Sequence, residues 1–149
     1  MPTVTSSIVI GTGPERIWEM LGDPAGYPDH VVVTDRMIEV PDGEFGLGST
    51  YREYGGIKPF KGESTWTVTT FEPMTRQVHT GTDAAMNFEL TTDLAPVDGG
   101  TRLTQTLVLT PKWFARPLNM AMWPLFLGKR AQAAMDQTLA NVKAHAEKG

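Results

Sequence analysis

Residues 3 to 10, TVTSSIVI, are rich in β-branched side chains and predict a strand, after which GTGPER changes the period from two to about 3.6. Thr12 and Glu15 have capping-box spacing and Pro14 suits a first helical turn, so a helix is expected to begin there. On it Ile17, Met20 and Leu21 form the apolar face, Trp18 lies at the border, and Glu15 and Glu19 point outward. Gly22, Pro24, Gly26 and Pro28 then break the helical pattern beside Tyr27, Asp29 and His30. Six further strands follow: VVVTDRMIEV (31–40), STYREY (49–54), ESTWTVTTFE (63–72), TRQVHTGT (75–82), AMNFELTTDL (85–94) and TRLTQTLVLT (101–110). Pro41-Asp42-Gly43, Gly55-Gly56, Pro73 and Asp98-Gly99-Gly100 punctuate them as turns. Such short connections require antiparallel neighbours in a meander. Phe88, Leu90, Thr92 and Leu94 share one face, as do Leu103, Gln105, Leu107 and Leu109, and both faces are expected to point inward. From residue 127 onward Leu127, Ala131, Ala134, Met135, Thr138 and Val142 follow helical spacing opposite Lys129, Gln132, Asp136 and Lys143, which predicts one long helix. At ~1.5 Å per residue it reaches roughly 30 Å, enough to cross a strongly curved sheet.

Composition narrows the function classes. The chain has 149 residues, 40% hydrophobic and 20% charged, which suits one domain over residues 1–149 with a single core. A net charge of -4 without a Lys/Arg cluster argues against a nucleic-acid partner. The absence of cysteine removes disulfides, thiolate nucleophiles and Cys-based zinc sites and fits a reducing compartment. MPTVTSSIVIGTG lacks the basic and apolar regions of a secretory signal, so a cytoplasmic location is expected. WFARPLNMAMWPLFLG (113–128) is too short and too interrupted by Arg116, Pro117, Asn119 and Pro124 to be a transmembrane segment. It packs over the domain's own apolar interior or lies at an interface.

Strand, broken short helices, six-strand meander and long C-terminal helix describe an α+β fold with a curved antiparallel sheet gripping a helix. Three stretches sharpen that reading: PERIWEMLGDPAGYPDH, GLGSTYREYGG with FEP closing a later strand, and LAPVDGGTRLTQTLVL. Over nearly its full length the chain resembles the polyketide cyclase/dehydrase branch of the START-like (SRPBCC) helix-grip superfamily, to which the major birch pollen allergen belongs. The resemblance implies a seven-stranded curved antiparallel sheet wrapped around the C-terminal helix, with two short helices after strand 1 forming a V that supports it. It also implies a cavity between sheet and helix that receives an apolar or amphipathic small molecule. Family members often carry tryptophan where this chain has His30, so an imidazole stands near one end of that cavity.

The candidate chemistry is sparse. His30, His79 and His145 include no pair with metal-ligand spacing, so no metal is expected. Gly11 and Gly13 complete neither a dinucleotide fingerprint nor a Walker pattern, no G-x-S-x-G elbow occurs, and no cofactor is expected. On strand 49–54 either Tyr51 with Glu53 or Arg52 with Tyr54 faces inward. An inward Glu53 is a candidate general base, while Arg52 and Tyr54 could polarise a ketone; His30 and His79 complete the catalytic candidates. Apolar lining is expected from Tyr27, His30, Tyr51, Trp66, Val68, Phe88, Leu90, Gln105, Leu107, Met120, Trp123 and Met135. These features fit a carrier or sensor that binds a small hydrophobic or amphipathic ligand, lipid included, as a monomer or homodimer. The alternatives are an aromatase/cyclase or dehydratase using acid/base chemistry in the same cavity, and an interaction module using the 113–127 surface.

Overall fold

A computed structural model describes residues 2–148. Strand β1 (Thr3–Ile10) leads into helix α1 (Pro14–Leu21), a single 3-10 turn (Pro24–Gly26) and the four-residue helix α2 (Tyr27–His30). Six strands follow: β2 (Thr34–Glu39), β3 (Thr50–Ile57), β4 (Phe60–Glu72), β5 (Arg76–Thr82), β6 (Met86–Val97) and β7 (Gly100–Pro111). They form one antiparallel sheet in the order β1-β7-β6-β5-β4-β3-β2, so the meander from β2 to β7 is closed by β1 on its far edge. The chain ends in a helical run of three segments: α3 (Arg116–Met122), a π-helical turn (Trp123–Leu127) and α4 (Gly128–Lys148).

Several boundaries differ from the sequence reading. Gly55 and Gly56 lie inside β3, and the turn falls at Lys58-Pro59. Their glycine character has another cause: a Cβ on Gly55 would lie 1.8 Å from the Val33 carbonyl oxygen, and Gly56 has φ +127 while its N–H donates to that oxygen. At α1 the expected capping box does not form, because Gly13 is the N-cap and no side chain caps it; Pro14 begins the helix as expected. The C-terminal helix starts eleven residues before residue 127, at Arg116. Pro124 has no N–H to give, and the π-helical turn accommodates it without ending the helix.

Packing is uneven along α4. Leu139, Val142 and Ala146 join Ile10, Ile17, Leu21, Leu94 and Leu103 in a solid core at the α1 end. Side chains fasten the helix to its surroundings there: Ser6 Oγ donates to Asp136 Oδ1 at 2.6 Å, and the Gly11 N–H donates to Glu147 Oε2 at 2.7 Å. The broken stretch is part of this anchorage. Asn141 Nδ2 donates to the His30 carbonyl at 3.1 Å, and the Val32 N–H donates to Thr138 Oγ1 at 3.0 Å. The Gly/Pro breaks after α1 therefore turn the chain so that α2 braces the middle of α4. Toward α3 the helix stands away from the sheet.

Candidate functional site

The space beneath α3 and the first half of α4 is a cavity of about 300 Å³, the low end of the range for small-molecule sites. Its floor follows from strand register. Tyr51, Trp66, Gly81, Phe88 and Leu109 stand opposite one another on successive strands and form one inward row. The next row contains His79, Leu90 and Leu107, and the one after it Gln77, Thr92, Gln105 and Ser6. The floor thus passes from aromatic through apolar to polar in two steps along the strands.

The aromatic row depends on its glycine. A Cβ on Gly81 would lie 2.5 Å from the Trp66 ring, so only glycine lets the indole lie over β5. There it stacks with Tyr51 on one side (centroids 6.3 Å, 6° between planes) and Phe88 on the other (5.4 Å, 16°). Tyr27 from α2 meets Tyr51 edge-on at 5.5 Å and anchors its hydroxyl by donating to the Leu21 carbonyl at 2.5 Å.

Two buried polar groupings interrupt these walls. His79 lies between Tyr51, 2.7 Å from its Nδ1, and Gln77 Oε1, 2.8 Å from its Nε2. The amide oxygen can only accept, so Nε2 carries the proton and Nδ1 accepts from the Tyr51 hydroxyl. Desolvation lowers the His79 pKa to about 4, which keeps the ring neutral as this arrangement requires. Burial raises the Tyr51 phenol well above its ordinary value, with Tyr27 and Glu53 adding to the effect. In the second grouping Glu53 Oε2 accepts from Thr34 Oγ1 at 2.8 Å. Its carboxyl pKa is raised by desolvation, partly offset by the hydrogen bond from Thr34 and by the nearby Trp66 indole N–H, which itself donates to Ser64 Oγ at 2.8 Å. His30 is lowered chiefly by desolvation and next by the neighbouring His145 imidazole, 6.3 Å away.

The alternation on β3 is therefore resolved. Tyr51 and Glu53 face the cavity, whereas Arg52 and Tyr54 are on the outer face: Arg52 pairs with Glu63 at 3.3 Å, and Tyr54 lies under the Arg36 guanidinium. Tyr27, His30, Trp66, Phe88, Leu90, Gln105, Leu107, Trp123 and Met135 also line the cavity. Two expected lining residues do not. Val68 is buried but does not line it; its backbone extends the β3–β4 pairing past Thr50, the Gly48 N–H donating to its carbonyl and its own N–H donating to the Ser49 carbonyl. Met120 is 68% exposed, because the α3 face carrying Asn119, Met122 and Trp123 is the one turned inward.

Sequence patterning missed two residues of consequence, Gln77 (1% exposed) and Asn119 (4%), both of which line the cavity. Among the described residues, Gln77 Nε2 and both polar atoms of the Asn119 side chain have no hydrogen-bond partner. The alternation of Gln77 with His79 and Gly81 on β5 was the available signal for the first; Asn119 sits in an apolar segment that offers none. A buried polar atom without a partner costs about 1–3 kcal/mol, so Gln77 Nε2 and the Asn119 amide, on two residues that line one cavity, mark places where a bound molecule can supply the partner. Among the described residues no group of three or more His, Asp or Glu side chains could hold a metal ion. A wider depression of about 580 Å³ on the sheet's outer face, lined by Thr65, Thr67, Thr80 and Thr82, is an open hydroxyl-bearing surface rather than an enclosure.

A curved sheet and a long helix closed around an apolar chamber with a few buried polar groups define a helix-grip, ligand-enclosing protein. The comparisons name the family: residues 1–147 match the model of polyketide cyclase/dehydrase and lipid transport proteins, and the chain belongs to that family. No curated protein sequence matches the chain. Solved structures share the fold at low identity. TTHA0849 from Thermus thermophilus is 19% identical with a TM-score of 0.79, covering 99% of this chain and 98% of that one. A START superfamily protein from Mycobacterium smegmatis is 15% identical with a TM-score of 0.74, covering 98% and 97%. The di-domain ARO/CYC StfQ from the steffimycin biosynthetic pathway is 13% identical with a TM-score of 0.79, and this chain covers 51% of its length and 99% of its own.

Proposed function

We propose that the protein binds a small amphipathic molecule in the cavity between sheet and α4 and acts as its carrier or sensor. The observation that carries this reading is the pairing of an apolar, aromatic-floored chamber with three buried amide atoms that lack partners, Gln77 Nε2 and the Nδ2 and Oδ1 of Asn119. Apolar enclosure supplies most of the affinity, and the amides select for a ligand with hydrogen-bonding groups. The stacked rings of Tyr51, Trp66 and Phe88 present flat faces, which favours a ligand with a planar portion.

Titration with an apolar fluorophore tests the enclosure. Saturable binding is expected, and it should weaken at least about tenfold when Leu107 or Met135 is replaced by Trp to fill the space. Asn119→Leu provides a second arm. It should raise the protein's own stability by about 1 kcal/mol in chemical denaturation, while weakening binding of hydroxyl- or carbonyl-bearing ligands and leaving hydrocarbon ligands unaffected. Undiminished binding by the filled variants would remove the cavity from the account.

One observation favours a second reading. Glu53 and the Tyr51–His79–Gln77 chain bring acid/base groups to the same cavity wall, the equipment an aromatase/cyclase or dehydratase needs. In that reading Glu53 takes a proton from carbon, and the Tyr51 hydroxyl turns from His79 to polarise a ketone.

A further inference from the structure

The cavity opens where the β3–β4 turn, the β5–β6 connection and α3 approach one another, since Ile57, Phe60, Asp83, Ala85, Met86 and Leu118 all line it. Large apolar side chains stand in solvent around this opening. Trp113 is 85% exposed, Leu125 74%, and Phe114, Leu118 and Phe60 about half. Leu118, Ala121 and Leu125 are spaced i, i+3 and i+7 on the exposed face of α3 and the π-helical turn, and Phe114 stands in the turn that leads into it, so this face is itself an apolar stripe. That reverses the usual polarity of a surface helix. An exposed patch of this kind marks an interaction site.

Charge identifies the occupant. The protein carries -4 overall, yet the segments that form this end, residues 57–60, 83–86 and 112–130, contain Lys58, Lys112, Arg116, Lys129 and Arg130 against the single carboxylate Asp83. That carboxylate keeps its charge while accepting the N–H groups of Ala85 and Met86, and Lys112 and Arg130 likewise keep theirs while donating to the Asp83 and Lys58 carbonyls, so this end carries a positive excess. A protruding tryptophan, an aliphatic stripe and a surrounding set of cations are complementary to an anionic lipid bilayer, which offers both an apolar layer and negative headgroups. No helix among the described residues is long and apolar enough to cross a membrane, so the contact is peripheral.

We infer that the Trp113–Leu125 surface docks on anionic bilayers, so that the cavity mouth faces the membrane and ligand passes between lipid and protein without crossing water. Leu118 serves both surfaces, being exposed on the stripe while also lining the cavity. The purpose of docking rests on the ligand-binding reading above, but the docking itself does not, and the two are measured separately.

Co-sedimentation of the full chain is measured with vesicles of phosphatidylcholine alone and of phosphatidylcholine mixed with phosphatidylglycerol. Binding to the mixed vesicles is expected, weakening as salt is raised, with a blue shift of tryptophan emission. Trp113→Ser with Leu125→Ser should abolish it, and Arg116→Glu with Lys129→Glu should lower it at least about tenfold, while fluorophore affinity in the cavity stays unchanged in both. Failure to sediment with mixed vesicles overturns the inference. So does equal binding to both vesicle types by wild type and variants, or a concentration-dependent dimer that the same substitutions disperse in the absence of vesicle binding. Vesicle binding by a protein that takes up no fluorophore would leave docking in place and remove the carrier function.

Discussion

His79 is a histidine that the fold keeps uncharged. Its pKa is lowered to about 4 from 6.5 by desolvation, so between those values the unfolded chain binds the proton more readily than the native one. Its contribution to stability is therefore fully present above pH 6.5 and is lost as pH falls toward 4, by up to about 3 kcal/mol. His30, also lowered, acts in the same direction. Glu53 acts in the opposite one: its raised carboxyl pKa lets the folded state keep a proton that the unfolded chain releases above 4.5, so its contribution declines as pH rises from there. Chemical denaturation from above pH 6.5 down to about 4 should show falling stability in the wild type. The fall should be shallower in His79→Phe, even though that variant starts lower because the Tyr51 hydroxyl and the Gln77 oxygen lose their partner. Parallel profiles for the two proteins would show that His79 is not the group that titrates.

At the scale of elements, one glycine on β5 governs the shape of the cavity floor. Gly81→Ala places a methyl group where the Trp66 ring now lies, so the indole must tilt away and lose its stacking on Tyr51 and Phe88. The expected result is a loss of about 1–3 kcal/mol in denaturation together with a changed near-ultraviolet signal from the buried tryptophan. A variant with wild-type stability and spectrum would mean the floor does not depend on that contact. The sequence carried the seven strands and the meander of the last six well, since turn residues and alternation are local signals, whereas the pairing of β1 with β7 is long-range and had no such signal. It misled at Gly55-Gly56, where glycine serves a close crossing of the β2 edge rather than a turn. It also left β3 ambiguous, because each of its faces offers a tyrosine and a charged residue, and only the partners Arg36 and Glu63 decide which one is solvated. Asn119 was illegible for the reverse reason. A polar residue in an apolar helix reads as an interruption until the cavity beneath it is known.

Across the whole molecule, stability and function divide along α4. The α1 end holds the continuous core, while the space beneath α3 and the first half of α4 is hollow and is lined by Glu53, Gln77, His79 and Asn119, so substitutions among these four can alter ligand chemistry without dissolving the fold. That division makes carrier and enzyme separable. In a carrier, Glu53→Gln, His30→Phe and His79→Phe should keep ligand affinity within roughly tenfold, about 1.4 kcal/mol, because enclosure by apolar walls dominates binding. In a cyclase, one of these changes, or Tyr51→Phe, should leave binding nearly intact while slowing product formation by about 10² to 10⁴, the usual contribution of a positioned acid or base. Arg52→Ala and Tyr54→Phe are the controls, since both side chains lie on the outer face and should change neither quantity. Mass analysis of a reactive poly-β-ketone analogue incubated with each protein decides between the readings. A wild-type product mixture identical to that in buffer sinks the enzyme reading. Turnover abolished by an inward substitution, and untouched by the outer controls, sinks the carrier and assigns the chemistry to the Tyr51–His79 and Glu53 side of the cavity.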